Sequence, residues 1–234
     1  MLGSDLQFIN EEFFAERLSP EQIDKLWAEG WRHFGGHFFR YNLGIHDNEI
    51  RRVQPLRIDL SSVTLTKSQR RILRRNDDLD VSFGPLSLTR GSVEMFERHK
   101  QRFKFGIPES IHNFLPPAAE FSPCETLQLN VFSGSRLVAQ SFVDVGATAI
   151  SGVYGMYEPD EAARGLGIFT MLKEIEFARA AGKRHYYLGY SYSGASFYDY
   201  KKRFKPLQVY DWQGQWLDHE AYTQLSGWTS APII

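Results

Sequence analysis

"AISGVYGMYEPDEAARGLGIFTMLKEIEFARAAG", residues 149–182, places three local signals in the order strand, loop, helix. Residues 149–157 are rich in apolar and aromatic residues, as is typical of a strand. The next ten residues contain Gly165 and Gly167 and read as a loop. Residues 168–182 carry apolar residues at helical spacing and end at a glycine, which is a common helix stop.

The regions on either side extend this order. Two strands precede it, joined through Gly134-Ser135, and a strand, a helix and a strand follow it. The predicted elements are residues 126–133, 136–146, 185–190, 194–205 and 207–212. This is the order of the GCN5-related (GNAT) acyltransferase fold, so we predict an α+β chain with a GNAT-like C-terminal half. In that fold the loop before the long helix offers backbone N–H groups to an anionic donor.

The first half predicts a smaller α+β domain. A helix begins after Ser19, an aromatic hairpin turns at Gly35-Gly36, residues 42–55 read as a loop, and residues 56–65 alternate like a strand. We predict an N-terminal domain at 1–90 and a C-terminal domain at 91–234, with the boundary somewhere in 90–122.

Residues 91–103 read as a helix with Ser92 as its N-cap, and the proline-rich segment that follows is the best candidate for a domain seam.

A basic segment, "TLTKSQRRILRRNDDL" at residues 64–79, follows the predicted strand. Thr66 and Gln69 have the spacing of a capping box, which predicts a helix start. The cations Lys67, Arg70, Arg71 and Arg74 then share one helical face, with Arg75 beside them. This pattern is typical either of a solvated surface helix or of a phosphate-binding surface.

Composition narrows the class of protein. The chain has 234 residues, 42% of them hydrophobic, and a net charge of −1, which suits a folded globule of one or two domains. Cys124 is the only cysteine, so an intrachain disulfide and a multi-cysteine metal site are excluded. With no secretory signal and no apolar run of ~20 residues, we expect a cytoplasmic protein with no membrane partner. We expect no DNA partner either.

Four segments resemble the aminoacyl-tRNA–protein transferases, which move an amino acid from tRNA to the N-terminus of a protein. They run in the order of that family from about residue 20 to residue 212, and the basic segment is the most specific of them. The segments are "EGWRHFGGHFFRY" (29–41), "TKSQRRILRRNDDL" (66–79), "ISGVYGMYEPDEAARGLGIFTMLKEIEFAR" (150–179) and "YYLGYSYSGASFYDYKKRFKPLQVY" (186–210).

The resemblance implies the partners and the site. The donor is an aminoacyl-tRNA, and the acceptor is a protein or peptide N-terminus with an acidic first residue. The residues expected to bind tRNA or acceptor are Lys67, Arg70, Arg71, Arg74, Arg75, Arg164, Gly165, Gly167, Lys201 and Lys202. The residues expected near the chemistry, by their position at strand ends, are Tyr157, Glu158, Asp160 and Tyr190. The reaction is aminolysis of an activated ester, so we expect no cofactor.

The sequence departs from the family at its cysteines. A pair expected after the aromatic hairpin falls on Ile50 and Val53, so we expect no metal, and we assign His33 and His37 to structure. Two other functions stay open. A CoA-dependent N-acyltransferase is favoured by Arg164 and Gly167, although Phe169 occupies a position where the acetyl-CoA loop has glycine or alanine. A non-catalytic RNA- or degron-binding protein is favoured by the missing cysteines.

Overall fold

The computed structural model describes residues 7–103, 106–226 and 231–232. Its strands are β1 (Asn10–Phe14), β2 (Arg32–Phe34), β3 (His37–Tyr41), β4 (Leu43–His46), β5 (Glu49–Asp59), β6 (Asp80–Pro85), β7 (Glu125–Ser133), β8 (Arg136–Val145), β9 (Ala149–Tyr157), β10 (His185–Tyr192), β11 (Leu207–Tyr210), β12 (Trp216–Asp218) and β13 (Ala231–Pro232). Its helices are α1 (Pro20–Ala28), α2 (Lys67–Arg75), α3 (Arg90–Lys100), α4 (Leu166–Ala180) and α5 (His219–Ser226).

One large sheet contains strands from both halves of the chain. Its strand order is β12-β11-β5-β10-β9-β8-β7-β6, and β4 and β13 pair with β5. The β9–β10 pair is parallel, whereas the other pairs of the sheet are antiparallel. Since β5 lies between β10 and β11, the division into 1–90 and 91–234 stays a prediction, and any two such units share this sheet.

The long helix α4 packs against the large sheet. It begins at Gly165, whose φ of 73° suits glycine, and buries Leu166, Phe169, Leu172 and Ile175. Burial of such side chains contributes roughly 1.5–3 kcal/mol each, so this face fixes the helix on the sheet. The predicted strand–loop–helix order and the GNAT-like α+β fold are confirmed.

A small sheet, β1-β3-β2, packs with α1 against one end of the large sheet. Trp27 of α1 is 1% exposed and its ring lies 5.8 Å from that of Tyr187 on β10. The predicted helix start after Ser19 and the predicted hairpin at Gly35-Gly36 are both present, and Ser19 forms a capping box with Gln22. This packing places α1 and the small sheet against β9 and β10 of the large sheet.

Several local predictions were wrong. The predicted loop at 42–55 is a β4–β5 hairpin, because Asp47 and Asn48 both adopt positive φ and make a tight turn. The helix α3 is capped by Thr89, and Ser92 is the third helical residue of that capping box. The segment predicted as a helix at 194–205 forms a 3-10 turn over Phe197–Arg203.

The edge strands β1 and β6 had no counterpart in the prediction.

No helix in the described part of the chain combines the length and apolar character that a membrane crossing requires.

Candidate active site

A cavity opens where two parallel strands separate. β9 and β10 pair only through residues 149–151 and 185–187, and beyond that point a cavity of about 290 Å³ lies between them. Its walls come from β9, from β10, from one face of α4 and from the 3-10 turn. Where two adjacent parallel strands separate, backbone groups that would otherwise pair are exposed, so such a gap is a natural place for a substrate.

One face of α4 lines the cavity from mouth to floor. Gly167 stands at the mouth, Thr170 and Met171 follow, and Glu174 lies at the buried end. These residues are three, four and seven positions apart, so they share one helical face. The Glu174 side chain is 2% exposed, and burial raises the pKa of its carboxyl to about 7. The Tyr186 hydroxyl donates to this carboxylate.

Two cationic side chains meet beside the cavity. The Lys201 Nζ lies 2.8 Å from the Tyr190 carbonyl oxygen, to which it donates. Burial and, to a smaller extent, the nearby Arg32 together lower the pKa of this ammonium group to about 7. Arg32 itself is 8% exposed and donates to Ser151 Oγ and to the Gly152 carbonyl, where β9 leaves β10.

A glycine on β10 makes room for this pair. Gly189 has φ of 79°, and a Cβ there would lie 3.4 Å from both Arg32 Nε and Lys201 Nζ. Glycine therefore permits the strand backbone to bend and to approach the two cations closely.

Tyr157 and Arg102 lie at the mouth of the cavity. The Tyr157 ring borders Gly167, and its hydroxyl accepts a 2.8 Å hydrogen bond from Arg102. The exposed Arg102 guanidinium lies 5.0–5.4 Å from the ring centres of Phe103, Tyr157 and Phe197. No carboxylate among the described residues forms an ion pair with it.

The structure brings together only some of the predicted site residues. Tyr157, Gly165, Gly167 and Lys201 all line the cavity. Lys202 does not, because it donates to the Tyr192 and Gly194 carbonyls and pairs with Asp199.

The predicted chemical residues are split in the same way. Glu158 is 6% exposed and accepts two hydrogen bonds from Arg98, at 2.9 and 2.7 Å. Asp160 pairs with Arg136 at 2.7 Å, and both acids line a separate surface depression. The Tyr190 hydroxyl donates to the Gly30 carbonyl and links β10 to the small sheet. Because their polar groups are engaged outside the cavity, these three residues are not placed to contact a substrate inside it.

The predicted basic helix is confirmed, with its Thr66 capping box. It ends at Asn76, whose φ is −118°, and the Asn76 side-chain amide donates to the Arg164 carbonyl at 3.1 Å. Ile72 packs beside Gly165, so α2 lies along the loop that opens α4. The five cations Lys67, Arg70, Arg71, Arg74 and Arg75 are exposed, and none forms an ion pair within residues 7–103, 106–226 and 231–232.

Two expectations about the glycine loop change. Arg164 pairs with Asp78 at 2.8 Å and with Glu161 at 2.9 Å, so it connects this loop to the end of α2 and is not a free anion ligand. Phe169 points into the core and is 1% exposed, packed with Leu129 and Val131. It therefore does not crowd the start of α4.

Sequence reasoning missed four residues of the site: Arg32, Arg102, Glu174 and Tyr186. Glu174 follows Gly167 by seven residues in a predicted helix, which is a detectable signal. Arg32 and Lys201 lie 169 residues apart along the chain, and only the fold brings them together.

Comparison with known proteins gives consistent matches. Residues 91–211 match the family described as "Arginine-tRNA-protein transferase, C terminus". An aspartate/glutamate leucyltransferase of Stenotrophomonas maltophilia (strain R551-3) is 32% identical over 173 residues, covering 70% of this chain and 68% of that protein. One of Xanthomonas campestris pv. campestris (strain B100) is 34% identical over 175 residues, covering 68% of each. The structure of FemX superposes with a TM-score of 0.52 at 8% identity, covering 92% of this chain and 74% of that chain, which shows a shared fold.

Proposed function

Because this chain belongs to the aminoacyl-tRNA–protein transferase family, we propose that it moves an amino acid from aminoacyl-tRNA to the N-terminal α-amine of a protein or peptide. The cavity between β9 and β10 carries the proposal. It has a basic helix and a helix N-terminus at its mouth, and a lysine of lowered pKa beside it.

The donor binds at the mouth in this proposal. The five cations of α2 contact phosphates of the acceptor stem, since arginine and lysine on a surface bind RNA chiefly through its backbone. The free N–H groups at the start of α4, next to Gly165 and Gly167, face the terminal nucleotide. The aminoacyl group then enters the cavity along the face of α4 that ends at Glu174.

The chemistry forms a C–N bond and breaks a C–O bond. The acceptor amine attacks the ester carbonyl, and the proton lost from its nitrogen passes to neutral Lys201. The terminal ribose oxygen leaves and takes up a proton, so the tRNA regains its hydroxyl. A pKa of about 7 leaves a large share of Lys201 neutral near neutral pH, which suits a general base. Backbone N–H groups at the start of α4 stabilise the oxyanion.

The acceptor is recognised through its first side chain. The relatives are named aspartate/glutamate leucyltransferases, and we propose an acidic first residue for this chain as well. Arg102 is the group that fits it: the guanidinium is at the mouth, stacked among aromatic rings, without a carboxylate of its own among the described residues. A bidentate pair with aspartate or glutamate satisfies it.

Glu174 bears on which amino acid is transferred. A buried carboxyl at the end of an otherwise mainly apolar cavity is costly to ionise unless a cation joins it. We therefore propose that the transferred side chain is cationic, arginine or lysine, in contrast to the leucine in the names of the relatives.

A transfer assay tests both the proposed reaction and the proposed identity of the transferred amino acid. Labelled arginyl-, lysyl- and leucyl-tRNA are each offered with peptides that begin with Asp, Glu or Ala and are otherwise identical. Transfer of any amino acid to the Asp and Glu peptides supports the reaction, and preference for arginine or lysine supports the role of Glu174. Preference for leucine contradicts only the second proposal.

Two outcomes of the same assay favour the other functions. Binding of charged tRNA without any transfer favours a non-catalytic binder. Thermal protection by CoA together with acetyl transfer favours the CoA-dependent acyltransferase.

A further inference from the structure

Three potential metal ligands meet away from the cavity. His33 on β2, Cys124 just before β7 and Asp144 on β8 place one ligand atom each within 4.8 Å of one another. The His33 Nε2 lies 3.1 Å from Asp144 Oδ2 and 3.9 Å from the Cys124 sulfur. His33 and Asp144 are each 3–4% exposed, and Cys124 is partly exposed.

Neighbouring groups fix the direction of the ligand atoms. The His33 Nδ1 lies 2.9 Å from the Gly35 carbonyl, which can only accept, so this nitrogen carries the proton. The other nitrogen, Nε2, then faces the cluster. Asp144 Oδ1 accepts a 2.6 Å hydrogen bond from Thr126, which turns Oδ2 toward His33. A carbonyl behind the histidine and a hydrogen bond behind the carboxylate are the usual supports of metal ligands.

The charges of the cluster call for a shared cation. With Nδ1 protonated, the lone pair of a neutral His33 points at a carboxylate oxygen 3.1 Å away, which is repulsive. A metal ion bound by all three groups removes this repulsion, and the three ligand atoms already lie within 4.8 Å of one another.

We propose that His33, Cys124 and Asp144 bind one divalent transition-metal ion of the zinc class. Imidazole nitrogen, thiolate and carboxylate oxygen are the ligands that zinc prefers. Tetrahedral zinc with ordinary bond lengths separates nitrogen from oxygen by about 3.3 Å and nitrogen from sulfur by about 3.6 Å. The observed separations, 3.1 and 3.9 Å, need only small shifts to match. A water molecule at the partly exposed side completes the tetrahedron.

The ion would fasten the small sheet to the large one, because its ligands come from β2, from the segment before β7 and from β8. The residue before His33 is Arg32, whose guanidinium reaches Ser151 and Gly152 beside the cavity. Metal binding therefore holds in place the strand that delivers Arg32. This inference replaces the expectation that Cys124 and His33 have no metal.

Metal content and cobalt spectroscopy test the proposal on the full chain. The protein is stripped with a chelator, dialysed, and titrated with Zn²⁺ or Co²⁺ while bound metal, absorbance and thermal stability are measured. We expect one equivalent of metal per chain, a higher melting temperature, and with Co²⁺ a thiolate-to-metal charge-transfer band. Since the chain has a single cysteine, that band alone assigns Cys124.

Three variants locate the site. Cys124→Ala and Asp144→Asn should each weaken binding at least tenfold, because even supporting groups of metal ligands contribute that much. His37→Gln is the matched control: it removes an imidazole from the adjacent strand, where His37 pairs with Glu12 at the surface. The proposal is overturned if the parent protein binds no stoichiometric metal, or if bound cobalt shows no thiolate band, and the cluster is then a buried histidine–carboxylate pair beside a thiol.

Discussion

Removing two arginines from α2 tests the donor site most directly. Arg70 and Arg74 are four residues apart on one exposed face, and the double variant Arg70→Ala, Arg74→Ala keeps the inward-facing Ile72 and Leu73. If each guanidinium neutralises one phosphate, the slope of log affinity against log salt falls by roughly 0.7–0.9 per contact, or roughly 1.5 in total. Fold stability should change little, because exposed charges contribute little to it.

The assay is binding of labelled aminoacyl-tRNA at several salt concentrations. The matched control is Arg90→Ala with Arg179→Ala, which removes the same charge from exposed sites on α3 and on the far end of α4. The control should keep the parent slope. An unchanged slope and affinity in the α2 variant would refute the assignment of this helix to tRNA, whereas loss of peptide binding alone would assign it to the acidic acceptor.

Substitutions at Lys201, Glu174 and Arg164, with controls, separate the roles of these residues. Lys201→Met should slow single-turnover transfer by about 10²–10⁴-fold and remove the rise in rate near pH 7, leaving only the rise from the acceptor amine near pH 8; an unaltered pH profile excludes Lys201 as the base. Glu174→Gln should reduce the preference for arginyl- over leucyl-tRNA at least tenfold. In the parent protein the raised pKa of Glu174 should make the folded state less stable as pH rises from 4.5 through about 7, because ionising the buried carboxyl is costly. Glu174→Gln should abolish this loss of stability. The exposed Glu176→Gln should change neither the amino-acid preference nor the pH dependence of stability. Arg164→Ala should weaken donor use, and Asp78→Ala should do the same if their ion pair positions the loop; a loss in Arg164→Ala alone indicates direct contact with the donor.

Local signals in the sequence were sufficient for the elements that frame the site. The Thr66 capping box, the hairpin at Gly35-Gly36 and the glycine loop before α4 each depend on residues a few positions apart, and each is present. The order of these elements was enough to predict the GNAT-like half. The β4–β5 hairpin was missed because a polar segment was read as a loop although Asp47-Asn48 can turn tightly.

The cavity itself depends on contacts that no local pattern encodes. Arg32 comes from the small sheet, Glu174 from α4 and Lys201 from a 3-10 turn, and their positions follow from the pairing of β5 with β10 and from the opening beside β9. Charge alone does not distinguish a cation that is available to a ligand from one that is already engaged by neighbouring groups. Arg164 and Lys202 have the right charge for an anion, but each is occupied by partners that lie far away in sequence or on a neighbouring turn.

The charged groups differ between the mouth of the cavity and its interior. Arg102 lies at the mouth of the cavity and the α2 cations lie outside it. Water and salt screen the charges of these side chains, so they can bind and release a phosphate or an acceptor carboxylate. Lys201 and Glu174 lie deeper, and burial shifts the pKa of each toward neutrality, so neither charge is held strongly before a substrate arrives. A cationic side chain that reaches Glu174 would favour the ionised form of this carboxyl, because the pair of opposite charges offsets the cost of burial.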